Sequence, residues 1–320
     1  MKRKFLLILT IFFVAVNNFN CVYANDINNE INIYVSPDGD DLNTGLQDNP
    51  VKTIQAAQNI VRKYNNDMKS DIIVNIMPGT YNLDKMLEFT TADSGSNGHN
   101  VIYRGKDLPV ISGGRKVLNF KKSEKYPNLI ESELPDVDDV EEFYVDGDKK
   151  YVAKSERLFT PSNYKDSNSE YASDGLYVSK DYVQRFNNLE DVEFIWNRCW
   201  VKTLLHPVDI IEDETDRNRM IVKFNNPKWN SIYVTGNSSY ATSTVSCFVQ
   251  NALELLDKPG EFYFDKNIKK LYYMPQQGES IENSVFTIPE LDTAMFIMGS
   301  SVDDKVHNIV FDGIKFTQFT

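Results

Sequence analysis

Carboxylates are the most numerous side chains in this sequence that could do chemistry. The 320 residues include 46 Asp and Glu, against 34 Lys and Arg. Two carboxylates about 5 to 9.5 Å apart can cleave a glycosidic bond, one as acid and the other as nucleophile or base. With so many acids, the count alone selects no pair. Solvated loops or bends are predicted for the acids that cluster: Asp136, Asp138, Asp139, Glu141, Glu142, Asp303, Asp304 and Asp312.

Metal and cofactor chemistry lacks a supporting motif. The cluster around Asp38 and Asp40 resembles a calcium loop, but Leu42 and Asn49 occupy positions where an EF-hand needs ligands. The histidines, His99, His206 and His307, lie far apart without ligand spacing. No nucleotide-binding glycine motif and no G-x-S-x-G elbow occurs. We therefore predict no metal and no cofactor.

Tryptophans are the candidate sugar-binding residues. Trp196, Trp200 and Trp229 offer large ring faces that can stack on a pyranose. Core packing is the competing interpretation, and the sequence does not decide between the two. The two cysteines after residue 24, Cys199 and Cys247, are too few for a disulfide scaffold, and either one bridge or two buried thiols fits them.

The first residues predict export. Lys2, Arg3 and Lys4 precede an apolar run, residues 5–16, and the sequence Val-Tyr-Ala ends at Ala24. This order is typical of a signal peptide, and the run falls short of the roughly 20 residues that span a bilayer. We predict cleavage after Ala24, a secreted protein and no membrane association afterwards. Loss of three cations would change the formal charge from −12 to −15, since residues 1–24 contain no acid, which disfavours nucleic acid as a partner.

The elements that must position any site are mostly short strands. One helix is predicted in VKTIQAAQNIVRKY, with Thr53 as its N-cap. After it come DIIVNIMPGTYNL, MLEFT, HNVIYRG and PVISGG, which read as strands of about four to seven residues separated by bends without hairpin turns. This pattern favours a parallel β-helix whose open end is covered by the helix. An antiparallel meander is the alternative.

The middle of the chain has a different pattern, typical of an antiparallel unit. Asp146-Gly147 separates two apolar runs, and a second turn is predicted near Asp265. The run DVEFIWNRCWVKTLLHPVDII is predicted to be extended, with Phe194, Trp196 and Trp200 on one face. Short runs at bends return in residues 285–320.

We predict a mainly all-β protein: a right-handed parallel β-helix with a capping helix, interrupted by an antiparallel β-sandwich-like insertion. Because IKFTQFT supplies no cap for the last strands, we expect the later coils of the helix to be missing from this chain. The predicted divisions are a signal peptide (1–24), the cap and first coils (25–116), the insertion (117–284) and resumed coils (285–320).

Several segments together resemble a known group. They are YVSPDGDDLNTG, NPVKTIQAAQ, MPGTYNL, VIYRGKDLPVISGG, EFYVDGDKK, ELLDKPGEFYFDKNIKKLYYMPQQGE and HNIVFDGIKF. The chain resembles the N-terminal half of secreted bacterial proteins with right-handed parallel β-helix repeats, and within them glycoside hydrolase family 141. Where relatives often carry an Ala-Arg-Tyr-Pro-like run after the Val-Asp-Gly turn, this sequence reads VAKSERLFTPSN.

The resemblance implies a secreted carbohydrate-active enzyme, a glycoside hydrolase acting on polysaccharide or oligosaccharide. It implies catalytic carboxylates on later coils, beyond Thr320, so no catalytic residue is assigned and this chain alone is expected to be inactive. Two alternatives remain: a non-catalytic surface or glycan-binding β-helix protein, and a calcium-dependent polysaccharide lyase. Paired carboxylates on neighbouring coils would favour an enzyme.

Overall fold

The computed structural model describes residues 30–156, 158–171, 173–198, 201–234 and 246–320. Within them the fold is mainly β, as predicted, with 25 strands and two α-helices. The helices are α1 (Ile54–Val61) and α2 (Asn226–Val234). The first strands are β1 (Ile31–Val35), β2 (Ile72–Ile76), β3 (Thr80–Asn82), β4 (Leu87–Phe89), β5 (Val101–Gly105), β6 (Val110–Ser112), β7 (Gly114–Lys116), β8 (Lys121–Lys122) and β9 (Ile130–Glu133).

The remaining strands follow in two groups. The middle strands are β10 (Tyr144–Val145), β11 (Asp148–Lys149), β12 (Tyr151–Val152), β13 (Ser162–Tyr164), β14 (Gly175–Ser179), β15 (Glu193–Arg198), β16 (Val201–Leu205), β17 (Pro207–Glu212) and β18 (Arg219–Phe224). The last strands are β19 (Cys247–Gln250), β20 (Glu261–Asp265), β21 (Lys270–Tyr273), β22 (Phe286–Pro289), β23 (Met295–Ile297), β24 (Ile309–Asp312) and β25 (Lys315–Thr317).

Short strands from both ends of the chain form three parallel sheets. Their orders are β1-β2-β5-β24, β3-β6-β25 and β4-β23. In the first sheet Ile33, Val74, Tyr103 and Phe311 lie at the same register and form a column. The rings of Phe89, Tyr103 and Phe311 meet with centroids 5.1 to 5.3 Å apart. Each fully buried side chain of this kind stabilises the fold by roughly 1.5–3 kcal/mol.

Helix α1 covers one edge of this core. Ile54, Ala57 and Val61 are buried against the parallel sheets, and Thr53 is the N-cap, since its hydroxyl accepts from Ala56 N at 3.1 Å. The predicted helix and its cap are therefore confirmed. Asp41, in the loop that resembles a calcium site, instead accepts bonds from the backbone and hydroxyl of Thr53 at 2.8 Å.

An ion pair between the partly exposed Arg62, directly after α1, and a buried carboxylate ties the helix to the turn after β4. Asp93 is fully buried and accepts from Arg62 Nε at 2.8 Å and from Nη2 at 2.9 Å. Its second oxygen also accepts from the backbone N–H of Thr90 at 2.8 Å. A buried carboxylate needs such partners, because burial of an isolated charge is strongly unfavourable.

The middle of the chain is largely antiparallel, as predicted. Its sheets have the orders β12-β20-β21-β9-β8, β13-β14-β18-β17 and β16-β15-β19, and β12 with β20 is the one parallel pair among them. The predicted hairpin is present, with Asp146 and Gly147 at φ 54° and 86° between β10 and β11. The run from Glu193, however, is not one strand. Arg198 pairs with Val201, so β15 and β16 form an antiparallel hairpin.

One sheet joins the two kinds of structure. Its order is β11-β10-β22-β7, and all of its pairs are antiparallel. Strand β22 lies in the segment predicted to resume parallel coils, yet it pairs with β7 and β10, and parallel pairing returns only at β23. The predicted signal peptide lies outside the described residues. In the described part of the chain, no helix has the length and apolarity to cross a membrane.

Candidate functional site

The loop of residues 139–142 lines two cavities, and the smaller one borders the segment in which the antiparallel unit joins the parallel sheets. The smaller cavity, about 330 Å³, extends to β22 and Thr320, and the larger, about 400 Å³, extends to the edge of β15, β16 and β19. We call the larger one the junction cleft. It is lined by residues 139–142, Lys149, Lys150, Tyr151, Val152, Lys154, Glu193, Lys202, Leu204, Gln250 and Asn251.

Ion pairs hold the loop in place. Asp139 accepts from Lys266 Nζ at 2.6 Å, and Glu142 accepts from Tyr144 Oη at 2.6 Å and also from Lys149. The Asp146-Gly147 turn brings Lys149 directly opposite Tyr144, which places its ammonium beside Glu142. The loop predicted to be merely solvated therefore forms one wall of the cleft.

Glu142 is ionised at neutral pH. Burial raises the pKa of Glu142, but hydrogen bonds from Lys149 and Tyr144 outweigh burial and hold the pKa below its ordinary value. A general acid must carry a proton at its working pH. Glu142 is therefore suited to accept hydrogen bonds from ligand hydroxyls and unsuited to protonate a leaving group.

The opposite wall combines polar groups with an exposed ring. Glu193 and Gln250 are paired in register, and Gln250 Nε2 donates to Glu193 at 2.8 Å. Tyr151 is 64% exposed, and Lys154 Nζ lies 5.3 Å from the centroid of its ring. A ring face among carboxylates, amides and ammonium groups suits a ligand that has apolar faces and many hydroxyls.

The floor of the cleft rests on a buried ion pair. Lys150 and Glu279 have side chains only 6% and 12% exposed, and they lie 2.7 Å apart. Lys150 also donates to Gln276 Oε1 at 2.9 Å, and Tyr273 donates its hydroxyl to Glu279. Burial raises the pKa of Glu279, but the bonds from Lys150 and Tyr273 outweigh it and keep the pKa low. This network fixes Lys150 and hence the position of the neighbouring Tyr151.

The structure places two of the three candidate tryptophans in the core, which is the competing interpretation of these residues. Trp196 and Trp229 are fully buried, with ring centroids 6.2 Å apart, and Trp229 stacks on Phe224 at 4.9 Å. These two rings fill the core of the antiparallel unit because they are its largest apolar side chains. They leave no face for a ligand. Trp200 lies outside the described residues.

The other chemically interesting residues remain apart. His206 Nδ1 is 3.0 Å from the carbonyl oxygen of Val192, and Asp312 lies 3.7 Å from Arg104 on the first parallel sheet. Cys247 is buried, and burial raises the pKa of its thiol. Cys199 is outside the described residues, so the bridge stays untested. Among the residues described, no three His, Cys, Asp or Glu side chains are grouped to hold a metal ion.

Two carboxyl groups have a raised pKa, which is the property that a general acid needs. Burial raises the pKa of Asp191, although Tyr263 donates to it at 2.8 Å. Burial, followed by the charge of Asp257, raises the pKa of Glu261. Both are at most 4% exposed and neither lines the junction cleft. Neither of these two groups therefore supplies a general acid to the cleft.

Comparison with known proteins supports the sequence resemblance. Residues 130–276 match the model of the GH141 insertion domain. A solved structure entitled "Glycoside hydrolase" superimposes with a TM-score of 0.73 and 24% identity, covering 91% of this chain and 51% of that chain. The chain therefore has the fold of about half of that structure. A structure entitled "The complex structure of XylC with xylose" matches with a TM-score of 0.39 and 11% identity, over 90% of this chain and 35% of that one. No curated protein matches.

Sequence reasoning missed Tyr151, Glu142 and Glu193 as cleft residues. The Asp146-Gly147 turn was a usable signal, because it fixes which side chains meet across the hairpin. The departure VAKSERLFTPSN also begins inside the cleft, at Val152 and Lys154. The far wall, from β15 and β19, is distant in sequence and could not be inferred from a local pattern.

Proposed function

We propose that this chain is the N-terminal, carbohydrate-binding part of a secreted glycoside hydrolase acting on polysaccharide. The observation that carries the proposal is the junction cleft, where the exposed ring of Tyr151 lies among side chains that can hydrogen-bond to hydroxyls. All residues of the cleft lie in the segment that matches the GH141 insertion domain. Sugar rings bind in this way, with an apolar face on an aromatic ring and hydroxyls on charged groups and amides.

We further propose that the parallel sheets form the first coils of a right-handed parallel β-helix. Each sheet ends on a strand with an open edge: β23, β24 and β25. Those strands and the residue after β23 expose Phe296, Ile297, Met298, Val310 and Phe316 by 36% to 59%. We call these five residues the end face. Open edges with apolar side chains are suited to receive further strands, and such strands are where the catalytic carboxylates are expected.

The domain boundaries and the export signal complete the proposal. Residues 1–24 are a signal peptide, the parallel strands within 25–116 and 285–320 belong to the β-helix, and 117–284 are the insertion, which is joined to the β-helix by the antiparallel strands β7 and β22. The mature protein acts outside the cell, binds a polysaccharide or oligosaccharide, and needs neither nucleic acid nor membrane as a partner. The match of residues 130–276 to the insertion-domain model supports the middle assignment.

Affinity electrophoresis of the full chain in gels containing xylan, β-glucan or galactomannan tests the proposal. We expect at least one of these neutral polysaccharides to retard the chain, and Tyr151→Ala to weaken the binding about tenfold. Leu118→Ala is the matched control, because Leu118 is 67% exposed and lies outside the cleft. Equal retardation of Tyr151→Ala and the wild type contradicts the proposal.

A non-catalytic glycan-binding protein is the second candidate. Its support is the cleft itself, because the exposed ring of Tyr151 and the ionised Glu142 can bind a sugar without cleaving it. Both candidates predict binding without hydrolysis by this chain. Release of reducing sugar by the chain alone contradicts both. The activity of a longer protein that contains this chain separates the two candidates, because only the hydrolase releases reducing sugar.

A further inference from the structure

A second cavity lies away from the junction cleft, in the antiparallel unit. It has a volume of about 680 Å³ and shares no lining residue with the cleft. Asp166, residues 168–171 and Asp174 form one side, and the end of β18 with the start of α2 forms the other. We call it the tip cavity. Its volume lies within the roughly 300–1,000 Å³ of ligand-binding sites.

We propose that the tip cavity is a second carbohydrate-binding site, for an uncharged, hydroxyl-rich pyranose unit. The proposal does not depend on ligand binding in the junction cleft. Its evidence is a pre-positioned carboxylate, an aromatic wall and a balance of charge that selects against anionic sugars.

Asp174 is the pre-positioned acceptor. It is 5% exposed, and its Oδ1 accepts from Ser169 Oγ at 2.6 Å and from Asn226 Nδ2 at 2.9 Å, while its Oδ2 accepts from the backbone N–H of Asp166 at 2.8 Å. Burial raises the pKa of Asp174, but these hydrogen bonds outweigh it and keep the group ionised. A carboxylate has about four acceptor positions. One position on Oδ2 therefore remains to accept a ligand hydroxyl.

Apolar surface lies beside these polar groups. Tyr171 is half-buried in the wall, and Phe224 and the 57% exposed Val208 also line the cavity. Tyrosine rings stack on the C–H face of a pyranose, while their edges remain hydrated. The cavity therefore presents an apolar side and a hydrogen-bonding side, as a sugar ring does.

Charge decides the class of sugar. Three carboxylates, Asp166, Glu170 and Asp174, line the cavity against one ammonium group, that of Lys223. Uronates and sulfated sugars would be repelled, whereas neutral hydroxyls can donate to the carboxylates and accept from Lys223. Lys223 Nζ also lies 5.7 Å from the ring centroid of Tyr164 on the same sheet.

Isothermal titration of the full chain with xylohexaose, cellohexaose, mannohexaose and hexagalacturonate tests the proposal. Tyr151→Ala is the background in which the junction cleft is weakened. In the Tyr151→Ala variant we expect at least one neutral hexasaccharide still to bind. Adding Tyr171→Ala or Lys223→Met to this variant should weaken that binding about tenfold. Both substituted side chains are at least partly exposed, and the melting temperature of each variant checks its folding.

The outcomes separate the two sites. If Tyr151→Ala abolishes all binding of neutral hexasaccharides, the tip-cavity proposal is wrong and the cleft proposal stands. If Tyr171→Ala and Lys223→Met abolish binding in the wild-type chain and Tyr151→Ala does not, the tip cavity stands and the cleft proposal is wrong. Unchanged affinity in the tip variants, or tighter binding of hexagalacturonate than of every neutral probe, overturns the tip-cavity proposal.

Discussion

Asp213 is a carboxylate held ionised by the turn between β17 and β18. Thr215 donates its hydroxyl at 2.7 Å and its backbone N–H at 2.9 Å to Oδ1, and Arg219 Nε donates to Oδ2 at 2.6 Å. These bonds, those from Thr215 first, lower the pKa of Asp213 to about 2. The guanidinium of Arg219 also lies 4.0 Å from the ring centroid of Tyr177. One side chain thus contacts both the carboxylate in the turn and a ring on the neighbouring strand.

The sign of the resulting pH dependence is fixed by the direction of this shift. Because the folded pKa is below the unfolded one, Asp213 stabilises the fold fully above about pH 4, and the contribution is lost as the pH falls toward 2. Asp213→Asn is expected to lower the urea midpoint at pH 7, and the difference from wild type should narrow at pH values below about 4. Asp181→Asn, at an exposed position, is the control. A difference that stays constant with pH contradicts this role.

At the scale of elements, the β10–β11 hairpin positions the wall of the junction cleft. Gly147 has φ 86°, and an added Cβ would meet no atom within 4 Å. Gly147→Ala therefore tests backbone strain without a steric clash, and we expect a loss of about 1 kcal/mol in unfolding free energy. Urea denaturation measures it, with Asp148→Ala at the next, exposed position as the control. Equal stability of the two variants would show that the turn has another geometry.

The elements differ in how far the sequence predicts them. Helix α1 and the Asp146-Gly147 turn were predictable, because capping by Thr53 and a positive φ at glycine are local signals. The β15–β16 hairpin was not. Phe194, Ile195 and Trp196 are all fully buried, so both faces of β15 are apolar and the run lacks the alternation that marks a half-buried strand. The sequence of this run therefore did not indicate a turn.

The candidate site was harder to predict than the fold, for a physical reason. Residue type made Trp196 and Trp229 candidate ring platforms, but burial follows from the whole packing arrangement, and both rings are in the core. Tyr151 is exposed because β12 is an edge strand, paired only with β20. Its neighbours Glu193 and Gln250 come from strands far along the chain. Residues that are far apart in sequence but close in the fold give no local sequence pattern from which the site could be predicted.

At the scale of the whole molecule, the end face differs from an ordinary protein surface. It combines three open strand edges with the five exposed apolar residues Phe296, Ile297, Met298, Val310 and Phe316. Without further strands on it, we expect the chain to self-associate as its concentration rises, since open edges pair with other chains. Light scattering after size exclusion measures the mass.

Lysines on these edges should suppress the association. The double variant Ile297→Lys with Val310→Lys introduces two charges at edge positions, which is how natural sheets prevent pairing. Leu42→Lys is the control, because Leu42 is 94% exposed in a loop away from the end face. A monomeric wild-type chain at every concentration, or association that the double variant leaves unchanged, contradicts this role for the end face.

The most direct test of the account is a crystal structure of the full chain soaked with the neutral hexasaccharide that it binds. The account predicts a pyranose ring stacked on Tyr151, with its hydroxyls within hydrogen-bonding distance of Glu142 and Glu193. A saccharide bound elsewhere, with the junction cleft holding only water, would contradict the central claim that this cleft is the carbohydrate-binding site.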